Sequence, residues 1–382
     1  MPKNRALSNR ASITLPFWTI LIPLCAGLVL LCKNVIPDST STDIFLSVLL
    51  IASVLAAVHH AEVIAHKVGE PFGTLILALA ITVIEVSLIV SLMISDTNTG
   101  PSALARDTVF AAVMIILTGI IGLCLLLGSF RFKEQVFVKQ GVNASLITLF
   151  SISVLTMVLP NYTTSNLGNQ YSNSQLIFVA MVTLVLYTGF VAVQTVRHRD
   201  YFLPESTVIP SIHSDIEEIF DEDLDHAEAP NTKTAIMSLV LLFIALVAVV
   251  LFSKQLSPTI EGIVISVGAP KSLVGIIIAT VILLPEGMAA IKAVRKNRLQ
   301  TSLNLALGSA IASIGLTIPS VAIVCVLTGM EINLGIDEKS TVLLLMSIFV
   351  ISVSFNTNKT NIQQGIVLLV LFATYLFTTI VP

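Results

Sequence analysis

Two glutamates stand alone in the middle of very apolar segments, Glu85 in ILALAITVIEVSLIVSL and Glu286 in GIIIATVILLPEGMAAI. An ionised carboxylate at bilayer depth costs at least about 2 kcal/mol, so such a group is protonated, paired or bound to a cation. Those three states are the ones a proton-coupled cation carrier alternates among. The competing reading is a structural hydrogen-bond donor that keeps its proton throughout.

Weaker ligands lie nearby. Thr82 precedes Glu85 by one turn on the same helix face, and Pro285 before Glu286 frees a backbone carbonyl one turn back. Further on, Ser302, Ser309, Ser313 and Ser320 form one stripe, with Asn304, Gly308 and Gly315 on another. Serine and glycine in membrane helices usually serve close packing. Ser309 and Asn304 are the candidates to act instead as ligands. Carboxylates, hydroxyls and carbonyls are hard oxygen donors, suited to Ca2+ or Na+ rather than to soft metals.

Two more clusters carry titratable groups. On a helix, Glu62 faces His59 and His66, with His60 adjacent but turned away. The cluster reads either as interfacial polarity with His66 at a helix C-terminus, or as a proton path or pH sensor, since imidazole titrates near neutrality. A zinc site is a third reading, although no HExxH motif accompanies it. The second cluster is acidic: Asp215, Glu217, Glu218, Asp221, Glu222, Asp223 and Asp225. It reads as a solvated linker or, because Ile212, Ile216, Ile219, Phe220 and Leu224 recur at helical spacing, as an amphipathic helix that gathers or senses divalent cations.

The elements that hold these residues follow from composition. Of 382 residues, 55% are hydrophobic and 11% charged, and mean hydropathy is +0.95. Soluble domains carry roughly 25% charged residues. The apolar blocks are long enough to cross a hydrocarbon core of roughly 30 Å as helices, the form that satisfies its own backbone in lipid. Eleven are expected, near 13–32, 42–66, 71–95, 104–128, 138–160, 174–198, 234–254, 270–293, 301–328, 340–356 and 361–380. The first lacks a small-residue cleavage site and is expected to remain as a membrane helix. Cys25, Cys32, Cys124 and Cys325 lie in apolar blocks without a CxxC pair and read as small core residues.

Of the 20 Lys and Arg residues, only Lys33, Arg106, Lys254, Lys271 and Lys339 fall on the second set of alternating loops. The positive-inside bias therefore puts the N-terminus in the cytoplasm and the C-terminus outside. The chain divides into an N-terminal segment with the first helix (1–41), a first set of helices (42–198), an acidic cytoplasmic linker (199–233) and a second set (234–382). Glu62, Gly69 and Pro71 recur as Glu261, Gly268 and Pro270, each followed by a helix with one central glutamate. Five helices separate the counterparts, so the halves are expected to be inverted repeats with substrate bound where they meet.

The stretches HHAEVIAHKVGEPFGTLILALAITVIEVSLI (59–89) and LLPEGMAAIKAVRKNRLQTSLNLALGSAIASIGLTIPSV (283–321) resemble the two alpha-repeats of bacterial ChaA-type calcium/proton antiporters of the cation/calcium exchanger superfamily. The resemblance extends through the acidic linker to the final SFNTNKTNIQQG segment. It implies export of Ca2+, Na+ or K+ against protons, with the repeat carboxylates at Glu85 and Glu286. Where the superfamily often has Gly-Asn before each glutamate, this chain reads ITVIE and LLPE; where its proton exchangers commonly carry Gln, it reads AIAS.

The expectation is an all-α integral membrane protein of a bacterial inner membrane. It would be a secondary transporter rather than an enzyme, exchanging cytoplasmic Ca2+, with Na+ and K+ as further candidates, for external protons. The alternatives are a monovalent Na+(K+)/H+ antiporter with little Ca2+ activity, or a cation channel. Its partners are metal cations, protons and the bilayer; no cofactor and no nucleic acid is called for, and the sequence is silent on oligomeric state.

Overall fold

The computed structural model describes residues 15–32, 39–69, 72–95, 100–166, 168–203, 230–266, 270 and 272–381. Among them are eleven long helices: α1 (Phe17–Leu31), α2 (Thr40–Val68), α3 (Phe72–Ser95), α4 (Leu104–Phe132), α5 (Lys139–Tyr162), α6 (Asn173–Arg197), α7 (Thr232–Ser266), α8 (Ser272–Arg295), α9 (Leu299–Thr328), α10 (Glu338–Ser354) and α11 (Ile362–Ile380). Eight are long and apolar enough to cross a membrane, and Phe17–Leu31 and Leu79–Ile94 are shorter apolar helices. The expected positions agree within a few residues except at α7. It runs to Ser266 instead of ending near 254, because the weakly polar stretch SKQLSPTIEG continues the helix through Pro258. Glu261 therefore belongs to α7 and not to a loop.

Local chemistry sets the ends. Ser172 with Gln175, and Asn361 with Gln364, form reciprocal capping boxes at the starts of α6 and α11. Gly69 closes α2 at a φ of 78°, a conformation a side chain resists. Three helices contain a π-turn, the central one at Ile115–Ile120 in α4. There the Thr118 hydroxyl is buried and donates to the Met114 carbonyl at 2.5 Å.

Large apolar side chains such as Phe243, Val185, Phe349 and Ile147 point outward, as a lipid-facing surface requires. Burial divides the interior. One large cluster joins α4, α5, α6, α8, α9, α10 and α11, including Met114, Leu149, Ile311 and Leu344. A smaller one joins α2, α3, α7 and α8 through Val54, Ile84, Ala245 and Ile278, and a third ties α1 to α2 and α7 through Ala26, Leu46 and Phe252. In chain order α4 packs on α8 and α11, while α9 packs on α3 and α6. Cys124 and Cys325 are buried as expected, but Cys25 is only partly so and Cys32 is exposed, because α1 lies at the rim with few neighbours.

The loops gather at two ends. At one, Val136 meets Lys359, Lys139 reaches Asn356 and Val138 N–H donates to Gln300. At the other, Ser102 meets Ile332, Arg106 donates to the Gly335 carbonyl at 3.0 Å and Asn161 donates to that of Ile336.

Without water to drive them together, the helices rely on close backbone approach. A Cβ on Gly365 of α11 would stand 2.7 Å from the Leu126 nitrogen of α4, and one on Gly315 of α9 would stand 2.9 Å from Tyr187 of α6. Gly365→Val is expected to cost about 1–3 kcal/mol and lower the melting temperature of the purified protein. Gly189→Ala, where a Cβ meets nothing within 4 Å, should melt as the parent does. Equal melting of all three would remove this contact from the account of helix packing.

Candidate functional site

Both central glutamates border one cavity of about 340 Å3. Its walls come from α3 (Ile81, Thr82, Glu85), α8 (Ile282, Leu283, Glu286), α9 (Thr301 to Ser313) and α6 (Tyr187 to Thr195). It continues to Arg199, Phe202 and Leu203 beyond the end of α6. Leu203 is exposed and Glu85 is 3% exposed, so the cavity leads from one end of the helix bundle to a deeply buried carboxylate. Helical phase explains the convergence on α3, where Thr82 and Glu85 are one turn apart.

The two carboxylates differ in their partners. Glu85 Oε1 accepts from the Ser313 hydroxyl at 2.6 Å, a length typical of a hydroxyl on a charged acceptor. Glu286 has both carboxyl oxygens buried, and neither has a hydrogen-bond partner. Such a group is costly unless something occupies the space before it. Glu85 and Glu62 both lie within electrostatic reach of Glu286. Among the described residues no three His, Cys, Asp or Glu side chains converge, so a cation here would meet two carboxylates with hydroxyls and carbonyls.

All five residues expected to bind the ion, Glu85, Glu286, Thr82, Ser309 and Asn304, line this cavity. Asn304, however, is already engaged: its Nδ2 donates to the Phe202 carbonyl at 2.5 Å and its Oδ1 accepts from Gln300 at 2.9 Å. It anchors the cavity mouth, one turn beyond the place where a free ligand would be useful. Ser313 is the residue the sequence reading passed over. Its signal was present, since it lies four residues after Ser309 and so one turn deeper on the same face.

The histidine cluster is only partly assembled. His59 Nδ1 lies 3.9 Å from Glu62 Oε2, and its ring tilts against Trp18 of α1 at 5.9 Å. His60 is fully buried with Nε2 2.9 Å from the Thr19 carbonyl, so it fastens α2 to α1. His66 is exposed at the end of α2. Glu62 thus gathers His59 and not His66, whose side chain is directed outward. Lys292 of α8 lies within electrostatic reach of Glu62. Asp215, Glu217, Glu218, Asp221, Glu222, Asp223 and Asp225 lie outside the described residues.

A second cavity, of about 240 Å3, occupies the opposite end, lined by Arg106, Asp107, Asp337 and Tyr375 among others. Arg106 bridges it, with Nε 2.8 Å from Asp107 Oδ1 and Nη1 on the Gly335 carbonyl.

The chain matches the sodium/calcium exchanger protein family over residues 39–196 and 237–381. It is 40% identical over 97% of its length, and 98% of the relative's, to y4hA of Sinorhizobium fredii, an ionic transporter by provisional name. It is 32% identical to the sodium-potassium/proton antiporter ChaA of Escherichia coli, over 94% of this chain and 95% of that one. In fold it is similar to the H+/Ca2+ exchanger CAX, with a TM-score of 0.68 at 15% identity over 94% of this chain and 88% of that chain. The YfkE structure gives 0.66 at 15% identity, over 95% and 100%.

The cavity geometry is open to a direct test. With the four native cysteines replaced, Thr301→Cys and Leu305→Cys should react with a membrane-impermeant thiol reagent applied from the Arg199 face, and not from the Arg106 face. Ile84→Cys, 1% exposed, should stay unlabelled from both. Comparing right-side-out with inside-out vesicles gives the answer, and equal labelling from both faces contradicts a one-ended cavity.

Proposed function

Because the chain belongs to the sodium/calcium exchanger protein family, we propose that this membrane cation exchanger is a secondary antiporter. In this reading it carries Ca2+, with Na+ and K+ as further candidate cargo, against protons, and Glu85 and Glu286 hold cation and proton in turn. The observation that carries the reading is the unpartnered, buried Glu286 carboxylate facing Glu85 across a cavity open at one end. A cation seated there would offset the desolvation of both acids; a proton would do so by neutralising them. Cation and proton therefore compete for one site, and competition between two cargoes is what couples their opposite movements. Thr82, Ser309 and Ser313 would add neutral oxygens, and Asn304 would hold the mouth.

Alternating access needs the site open to one side at a time. The Arg199 end is open, whereas contacts of Ser102, Arg106 and Asn161 with the 332–336 loop close the other. The positive-inside bias makes the open end cytoplasmic, the side from which an exporter loads. Two smaller clusters hold α1, α2 and α7 and meet the larger body through α3 and α8, and movement of α1, α2 and α7 would have to be carried across those two helices. The inverted relation of the two sets of helices is part of the same proposal.

A second reading has its own support. The name of the Escherichia coli relative gives sodium, potassium and protons as its cargo, which favours a monovalent exchanger. Dequenching of a preformed pH gradient in everted vesicles separates the two, with Ca2+, Na+ and K+ added singly. Ca2+ is expected to collapse the gradient; response to Na+ or K+ alone selects the second reading. No response to any of the three overturns both.

Glu85→Gln and Glu286→Gln should each abolish exchange while the protein still inserts and melts as the parent. Normal exchange in both single variants would sink the glutamate mechanism.

Glu62 acts on Glu286 from the loading side and touches His59, so it is the candidate to pass protons between site and cytoplasm. Glu62→Gln is expected to shift the cytoplasmic pH profile of exchange with a smaller loss of maximal rate than the two central glutamates give. His66→Ala, at an exposed residue, should leave the profile in place. Exchange measured against cytoplasmic pH decides it, and superimposable profiles for Glu62→Gln and the parent remove this role.

A further inference from the structure

A groove of about 430 Å3 lies where the end of α4 meets the end of α8. It is lined by Arg131, Lys292, Arg295 and Lys296 together with Met288 and Ile291. Four basic residues, one from α4 and three at the end of α8, border it mainly with their aliphatic stems, which leaves the charged heads at its rim. Among the described residues Arg131, Arg295 and Lys296 make no ion pair, and the neighbouring acid Glu134 is engaged with Lys359 at 3.0 Å. The arrangement is built rather than incidental. Gln135, 2% exposed, donates to Asn297 Oδ1 at 2.9 Å and to the Val294 carbonyl at 3.4 Å, locking the turn after α4 to the end of α8. Asn297 closes α8 with a φ of 61°.

The groove changes character along α8. Leu284 and Met288 are exposed on the outer face, Ile291 follows, and Lys292 and Arg295 continue the same stripe at the helix end. An apolar strip that becomes cationic at the level where a helix leaves the hydrocarbon matches a lipid molecule, with its chains below and its headgroup above. A free anion would use the cations and leave the apolar strip idle; a neutral lipid would do the reverse.

We propose that the Arg131, Lys292, Arg295 and Lys296 groove is a binding site for an anionic phospholipid, whose phosphate rests on the cations while an acyl chain follows Met288 and Leu284. The site is distinct from the ion cavity and does not rest on the identity of the transported cation. Because α8 also carries Glu286 on another face, a bound lipid would fix the helix that presents the carboxylate.

The test uses the full chain, purified and delipidated in a neutral detergent. Phosphatidylglycerol, phosphatidylcholine and glycerol 3-phosphate are added separately, with retained lipid read by native mass spectrometry and stability by thermal melting. Phosphatidylglycerol is expected to be retained and to raise the melting temperature, and the other two are not. Each cation removed should weaken binding roughly fivefold. The triple variant Arg131→Gln, Arg295→Gln, Lys296→Gln, which spares Lys292 and its neighbour Glu62, should therefore lose the effect while exchange persists. Equal retention of phosphatidylcholine, reproduction by glycerol 3-phosphate, or an unchanged response of the triple variant overturns the proposal. So does a parent that responds only after the acids between 215 and 225 are neutralised, since the linker would then be the occupant.

Discussion

A carboxylate buried in a membrane interior has to be answered by something, and this structure answers its two central carboxylates unequally. Glu85 receives the Ser313 hydroxyl at 2.6 Å; Glu286 receives no hydrogen bond from another residue. An unpaired buried charge is among the costliest arrangements a fold can hold, so in the proposed mechanism Glu286 is the point with most to gain from a proton or a cation. Equal satisfaction of both acids would leave the site with little to gain from a cargo. Under that proposal, a partial set of partners would let binding lower the energy without making release prohibitive.

The helix frame exists to keep that imbalance in place. The cavity needs α3, α8 and α9 to approach from different directions, and glycine crossings hold the last two: a Cβ on Gly275 of α8 would stand 2.9 Å from the Asp107 carbonyl carbon of α4. Gly315 brings α9 against Tyr187 of α6, and Gly365 brings α11 against the backbone of α4. The hydrogen bonds at the ends complete the frame: Asn304 to Phe202 at the open end, Arg106 to Gly335 at the closed one. If the proposed alternation of access holds, it would exchange polar contacts at the ends while the glycine crossings persist.

The sequence made the helices and the two acids legible for the same physical reason. Long apolar blocks have one solution in lipid, and a lone acid within them is conspicuous. Thr82 and Ser309 were legible through helical phase. Ser313 lies on the same stripe as Ser309, but a stripe of serines serves packing and ligation equally, and only the distance across to Glu85 singles it out. The contact of Asn304 with Phe202 was not legible, since the two lie 102 residues apart and no local pattern announces it. His60 was obscured likewise, its ring being bound to a carbonyl of α1 that spacing along α2 cannot reveal. The length of α7 was underestimated because a weakly polar, proline-containing stretch reads as a loop when its packing against α2 is unknown.

Consecutive residues of α8 connect the remaining features. At about 100° per residue, Glu286, Gly287 and Met288 point in three directions. Glu286 borders the cavity, a Cβ on Gly287 would stand 3.3 Å from Ile120 in the π-turn of α4, and Met288 is exposed beside the basic groove. A rotation that moved the carboxylate would therefore also turn Gly287 away from Ile120 and Met288 away from the groove. A shift of α8 along its axis would instead have to move the Val294 and Asn297 contacts with Gln135. It would carry Glu286 and Lys292 together, since six residues of helix separate them by roughly 9 Å of rigid rise. On the proposed reading, a ligand held at the cationic end of α8 would act on the carboxylate only through the helix the two share.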